Sequence, residues 1–221
     1  MIWVYAICDR PDLPPPRRRG LAQAPLEGLA EGGLLAIFTR HAHAPGEPAP
    51  DALWAHERVV ERLMTDRTAL PMRFGSKVDS EAALRALLVE HRQRFLDALA
   101  RVSGRVELGV RVLQPAAASL VNGARPAVAT TASGREYLLG KLKDTRQVDR
   151  AAAALHTPLE VLAVEARRSP LRGDDEILRG SYLVDQRVVG RFRGVVERLQ
   201  RSHPDVAILC TGPWPPYSFV N

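Results

Sequence analysis

Lysine, cysteine and long apolar runs are what this sequence has least of, and each scarcity removes a class of protein. Among 31 basic residues only Lys77, Lys141 and Lys143 are lysines, so arginine carries almost all of the basicity. The 25 acidic residues alternate with the basic ones, and the net charge of +6 is spread along the chain. A nucleic-acid binder is expected to gather its charge into a stripe or patch interleaved with aromatics. The one dense run, Arg17-Arg18-Arg19, follows Pro14-Pro15-Pro16 without a nearby aromatic and reads as a solvated loop.

Cys8 and Cys210 are the only cysteines, and they lie near opposite ends of the chain inside apolar runs. Neither belongs to a C-x-x-C pair or has zinc-ligand spacing to a histidine, so they read as buried free thiols of a reducing compartment. No stretch approaches the roughly 18 apolar residues needed to cross a bilayer. Met1 to Cys8 lacks the basic start and long apolar core of a signal peptide, which leads to the expectation of a cytoplasmic protein. Neither the G-x-x-x-x-G-K-[ST] nor the G-x-G-x-x-G pattern occurs, so no nucleotide cofactor is expected. Within Gly134 to Lys141, Tyr137, Leu138 and Leu139 stand where a phosphate cradle needs small residues.

What is present is an ordinary globular composition, with a hydrophobic fraction of 46% and a charged fraction of 25% over 221 residues. That length suits one large domain or two small ones. Ile2 to Cys8 and Leu34 to Thr39 read as buried strands on either side of a Pro/Arg loop, the second opened by Gly32-Gly33. Leu53, Val59, Val60, Leu63 and Met64 recur at helical spacing within Asp51 to Asp66. Thr68 to Phe74 is a short extended segment ending at Gly75, and one amphipathic helix then carries Leu84, Leu88, His91, Phe95, Leu99 and Val102 on a single stripe.

Gly104 closes that helix, and Val106, Leu108, Val110 and Val112 alternate with polar or small residues in a half-buried strand. Gln114 to Thr131 reads as a loop. Ser133 and Glu136 make a capping box at the start of a helix that continues through Leu155. Thr157, Pro158 and Glu160 repeat that spacing, which predicts a second helix or kinked continuation to about Arg168. Strands at Ser181 to Val184 and Val206 to Cys210 flank a helix from about Arg187 to Gln200. The expected fold class is α+β in two domains. Residues 1–103 form an N-terminal α/β sandwich, residues 104–211 a ferredoxin-like (split βαβ) domain, and residues 212–221 a Pro/aromatic tail.

No residue constellation predicts catalysis. His56 beside Glu57 is the best candidate base, but it lies among arginines on a helix face with no nucleophile placed by a motif, and a surface role is the expectation. His41 and His43 flank Ala42 and lack a carboxylate or thiol partner, which is too little for a metal site. His91 falls on the apolar stripe and reads as a core-edge residue. No catalytic, cofactor-binding or metal-ligating residue is assigned. Two remaining alternatives are a basic nucleic-acid-binding module, supported by the net +6, and an uncharacterised hydrolase, supported by His56 with Glu57.

The ending Gly212-Pro213-Trp214-Pro215-Pro216-Tyr217-Ser218-Phe219-Val220-Asn221 is unlike a disordered tail. Its prolines pre-set an extended backbone, and its aromatics offer large apolar surfaces. It therefore either straps onto its own domain or docks another chain, and Trp214, Pro215, Pro216, Tyr217 and Phe219 are the candidate partner-binding residues. Pro71, Arg73, Phe74 and Gly75 form a second, structural motif, in which an aromatic followed by glycine turns the chain into the next helix and Phe74 is expected to be mostly buried.

That ending resembles the gas vesicle protein F/L family. Further resemblance lies in Leu70-Pro71-Met72-Arg73-Phe74-Gly75, in Val106-Glu107-Leu108-Gly109-Val110, in the opening Trp3-Val4-Tyr5-Ala6-Ile7, in the helix start from His56 to Val60, and in Gly134 to Lys141. The resemblance covers nearly the whole chain, and the run Pro14 to Arg19 departs from it. It implies an N-terminal α/β domain, a ferredoxin-like C-terminal domain, and a non-enzymatic role as a minor shell component or assembly factor of gas vesicles. The partners it implies are the small hydrophobic major shell protein and other gas vesicle accessory proteins, with no nucleic acid, membrane or small-molecule substrate. It places the protein at the gas vesicle.

Overall fold

The computed structural model describes residues 1–42, 50–114, 149–173 and 175–220. His43, the capping box at Ser133 and Glu136, and the segment Gly134 to Lys141 lie outside the described residues. The chain divides into two compact units, one made of Met1–Glu107 with Trp214–Asn221 and the other of Leu108–Pro213. The division falls just beyond Ser103-Gly104, and the last residues return to the first unit.

The first unit is a five-stranded sheet with helices on both faces. Strands β1 (Ile2–Cys8), β2 (Glu27–Glu31), β3 (Leu34–Arg40) and β4 (Ala69–Pro71) stand in the order β2-β3-β1-β4, and β5 (Lys77–Val78) also pairs with β1. Every residue of β1 is buried, as a central strand between two covered faces requires. In β3, Leu34, Ala36 and Phe38 face helices α2 (Glu81–Glu90) and α3 (Arg92–Val102), while Leu35 and Ile37 join Val59, Val60 and Leu63 of helix α1 (Pro50–Leu63). A bulge between Val4 and Ala6 breaks the alternation of β1, so Tyr5 and Ala6 both join the α1 side. The extra residue lets Tyr5 aim its hydroxyl at Thr39 Oγ1, 3.1 Å away, and accept the Leu21 N–H at 2.7 Å.

The first unit differs from the sequence reading in two places. The Pro/Arg loop contains strand β2, joined to β3 by a tight turn in which Gly32 and Gly33 have φ of 57° and 85°. Two successive positive φ values are what a two-residue hairpin turn of matching twist demands. The single helix expected from Leu84 to Val102 is two, α2 and α3, meeting at His91, whose φ of −104° and ψ of 16° leave the helical region. Gly104 then takes φ 67° just beyond α3, the left-handed turn that ends helices.

The second unit contains β6 (Arg105–Leu113), helical residues 149–160 (α4), β7 (Glu165–Arg168), β8 (Glu176–Asp185), α5 (Val189–Ser202) and β9 (Ala207–Trp214). Its sheet order is β7-β8-β6-β9, and β7 pairs antiparallel with β8. Leu108, Val110 and Val112 of β6 pack with Leu155 and Leu159 of α4 and Phe192 and Val196 of α5 in one core. The helix expected to run to Arg168 stops near residue 160, and Glu165–Arg168 is an edge strand. Its sequence, Glu-Ala-Arg-Arg, carries no apolar period, so only the open edge of β8 makes it a strand.

A buried charge anchors this unit. The Glu176 side chain is 1% exposed and pairs with Arg111 Nε at 2.9 Å and Arg179 Nη2 at 2.8 Å, while the Arg172 N–H donates to it at 2.8 Å. Desolvation works against its charge, but the backbone donor and the two guanidiniums outweigh it and hold the carboxyl at about 2.

Candidate protein-interaction site

The tail and helix α1 meet in the first unit. Pro215 and Pro216 are buried and carry the chain from β9 into a tight turn at Tyr217–Phe219. Phe219 is fully buried, and its carbonyl accepts from Arg101 Nη2 at 2.6 Å. Glu107 receives Ser218 twice, from the backbone N–H at 2.9 Å and from the hydroxyl at 2.6 Å. Tyr217 donates its hydroxyl to Glu57 Oε2 at 2.7 Å, and Val220 packs on the core beside α2 and α3. From Pro215 onward the ending is therefore strapped to the N-terminal unit, while Gly212 to Trp214 still belong to β9. Contacts made 111 and 160 residues away in sequence give no local signal.

Of the five tail candidates, the structure turns Pro215, Pro216 and Phe219 inward and leaves Trp214 and Tyr217 at the surface. Trp214 is 37% exposed and Tyr217 half-buried. They border a hollow of about 540 Å³ with Leu53, Trp54 and Phe74. Leu53 is 43% exposed rather than part of the buried stripe, and Trp54 is 57% exposed. Sequence reading passed over Trp54 because it falls off the helix's apolar stripe. An aromatic at such a position, beside another large apolar residue, was the available signal.

His56 lies beneath this hollow and is not a surface residue, being 2% exposed. Its Nδ1 accepts from Trp3 Nε1 at 3.1 Å, so the ring proton sits on Nε2, which donates to the Met72 carbonyl at 2.8 Å. Burial pushes its pKa down, against the bond to Met72. With both nitrogens engaged, the ring has no free position from which to take a substrate proton, which removes the support for a hydrolase. Phe74 stacks edge-on against Trp3 at 4.8 Å and against His56 at 5.8 Å. It is half-buried, because its outer face lines the hollow. Pro71 is buried opposite Ala6, Arg73 borders the hollow, and Gly75 has φ 95°. Glu57 is shifted upward by burial, and Tyr217 is raised by burial and by the adjacent carboxylate.

The two cysteines are free thiols, and burial pushes Cys8 up to about 12 and Cys210 upward as well. Among the described residues, no three His, Cys, Asp or Glu side chains gather as a metal site, and no helix is long and apolar enough to cross a membrane.

The whole sequence, residues 1–221, matches the family model of the gas vesicle synthesis protein GvpL/GvpF. The chain belongs to the GvpL/GvpF family. It is 32% identical to gas vesicle protein L of Streptomyces sp. (strain CB03234), across 99% of this chain and 92% of that one. It is 28% identical to gas vesicle protein F2 of Halobacterium salinarum, across 77% and 68% of the two chains. Its fold is that of the crystal structure of GvpF from Anabaena sp. PCC7120, with a TM-score of 0.82 at 21% identity over 100% of this chain and 95% of that one. GvpF from Microcystis aeruginosa gives a TM-score of 0.83 at 20% identity over 100% and 98%. Membership in GvpL/GvpF assigns an accessory role in gas vesicles and association with other gas vesicle proteins.

Proposed function

We propose that this GvpL/GvpF member works in gas vesicle formation, as a minor shell component or assembly factor, by holding the major shell protein in the aromatic hollow of its N-terminal unit. The observation that carries this reading is the cluster of Leu53, Trp54 and Trp214, three large apolar side chains left exposed around one hollow. Each is about half exposed, so an apolar partner would recover about half of the roughly 1.5–3 kcal/mol that full burial of such a side chain is worth. A small hydrophobic shell protein has the matching chemistry, and other gas vesicle accessory proteins are partners of the same assembly.

The finer architecture belongs to the same proposal. Separate cores support two domains, and the order β-α-β-β-α-β with sheet order β7-β8-β6-β9 supports a ferredoxin-like reading of the second. The test is co-purification of the major shell protein with Leu53→Ser/Trp54→Ser. Both positions are exposed, so the melting temperature should stay unchanged while shell protein and vesicles are lost. Undiminished capture by a folded double variant would refute the hollow as the docking site.

A further inference from the structure

The loop carrying Arg18 and Arg19 is not merely solvated. It runs beside α1, and the two enclose a trough of about 460 Å³, with Arg18 and Arg19 on the loop bank and Arg58 and Arg62 on the helix bank. Arg58 and Arg62 are one turn apart and so project from the same face. Glu61 is the one carboxylate-bearing residue lining the trough. Among the described residues, none of these four arginines pairs with a carboxylate, whereas Arg10, Arg40, Arg67 and Arg85 of the same unit all do.

Two of the four guanidiniums are held in place. Arg19 Nη1 donates to the Gln23 carbonyl at 2.7 Å, and Arg62 Nη1 donates to Thr65 Oγ1 at 3.2 Å. Each guanidinium has five donor hydrogens, so a single bond of this kind fixes direction and leaves capacity for a guest. Gln23 and its neighbour Ala22 are held at φ of 57° and 50°, a left-handed conformation that non-glycine residues adopt at a cost. Leu26 and Val59 give the trough an apolar floor. Four converging cations repel one another, and an anion between them turns that repulsion into attraction.

Length selects the anion. The helical part of the bank runs from Ala55 to Arg62, roughly 10 Å at 1.5 Å per residue, more than one phosphate spans. An extended peptide rises about 3.3 Å per residue, so it lays about three residues along that bank. Its alternate side chains repeat at roughly 6.6 Å, close to the roughly 6 Å rise between Arg58 and Arg62. We propose that the trough docks an extended acidic segment of a partner protein, with carboxylates at alternate positions held by Arg58 and Arg62 and flanking ones by Arg18 and Arg19. This site is separate from the aromatic hollow, so shell-protein capture and acidic-segment binding can fail independently.

The experiment titrates the full chain with a fluorescently labelled synthetic peptide bearing glutamate at every second position, and in parallel with ATP as a small polyphosphate. The peptide's Kd should rise more than about tenfold in Arg58→Ser/Arg62→Ser, a loss of two bidentate contacts. It should change less than about twofold in the charge-matched Arg191→Ser/Arg198→Ser on α5. All four positions are exposed, and thermal melting checks that both variants fold. Equal weakening in the two variants would reduce the effect to net charge and overturn the site. So would absence of peptide binding by the parent chain. ATP binding tighter than the peptide, with the same dependence on Arg58 and Arg62, would replace the acidic segment by a small polyphosphate.

Discussion

His56 in the first unit and Glu176 in the second are both nearly sealed from water, yet one stays neutral and the other stays charged. The difference lies in their neighbours. His56 meets one donor, the Trp3 indole, and one acceptor, the Met72 carbonyl, which together fit a neutral imidazole and leave nothing to stabilise a second ring proton. Glu176 meets only donors, from Arg111, Arg179 and the Arg172 backbone, which fit a carboxylate. Burial alone does not decide the charge of a group; the polarity of the groups aimed at it does.

The largest expected effect comes from breaking the charged member of this pair. Glu176→Ala leaves two guanidiniums and a backbone N–H facing an empty socket and should cost about 2–3 kcal/mol. The figure sits at the low end for a buried ion pair because Arg111 is 47% exposed and can turn to water. Urea unfolding monitored in the second unit measures it, and a loss below about 0.5 kcal/mol would show that the arginines re-pair without strain.

The two groups should also fail in different pH windows. The folded-state pKa of His56 is depressed below 6.5, so the unfolded chain takes up the proton first and stability declines as pH falls below about 6.5, levelling off beneath the folded pKa. Glu176 is held at about 2 against an ordinary 4.5, so its contribution is present above 4.5 and is lost as pH falls from there toward 2. His56→Phe should flatten the upper limb without touching the lower one. It should not abolish the upper limb, because burial also lowers His41 and His156. Thermal melting between pH 8 and 5 reads this, and an unchanged slope in the variant would assign that limb to the other histidines.

The same contrast between patterned and socket-dependent features separates what the sequence revealed from what it hid. Strands β1 and β3 were legible because each is an unbroken apolar run, and helix α1 because its apolar residues recur at helical spacing. Strands β2 and β7 were not, since Glu-Gly-Leu-Ala-Glu and Glu-Ala-Arg-Arg are edge segments whose extended form is imposed by the neighbouring strand. The break at His91 was hidden because Leu88 and Leu99 keep one stripe across it. At the candidate site, prolines and aromatics signalled an ordered ending, but its destination depends on Glu57, Arg101 and Glu107, whose pairing with residues of the tail no local pattern encodes.

The smallest effect tests an intermediate case between the neutral histidine and the charged glutamate. Glu57 has one donor, the Tyr217 hydroxyl, and burial pushes its pKa above 4.5 because that single bond only partly offsets lost hydration. A raised carboxyl means that the folded state binds protons more readily than the unfolded one, so the cost of the charge is fully present above the folded pKa and is gone below 4.5. Glu57→Gln removes the charge and keeps an oxygen to accept from Tyr217, although a neutral acceptor makes the weaker bond. Because desolvation is the larger influence, the variant should be more stable than the parent at pH 7, by no more than about 0.5 kcal/mol, the usual range for substitutions away from the core. The advantage should shrink as pH falls and vanish near 4.5. A destabilised variant at pH 7 would mean that the charged hydrogen bond to Tyr217 outweighs desolvation, placing Glu57 with Glu176 rather than between it and His56.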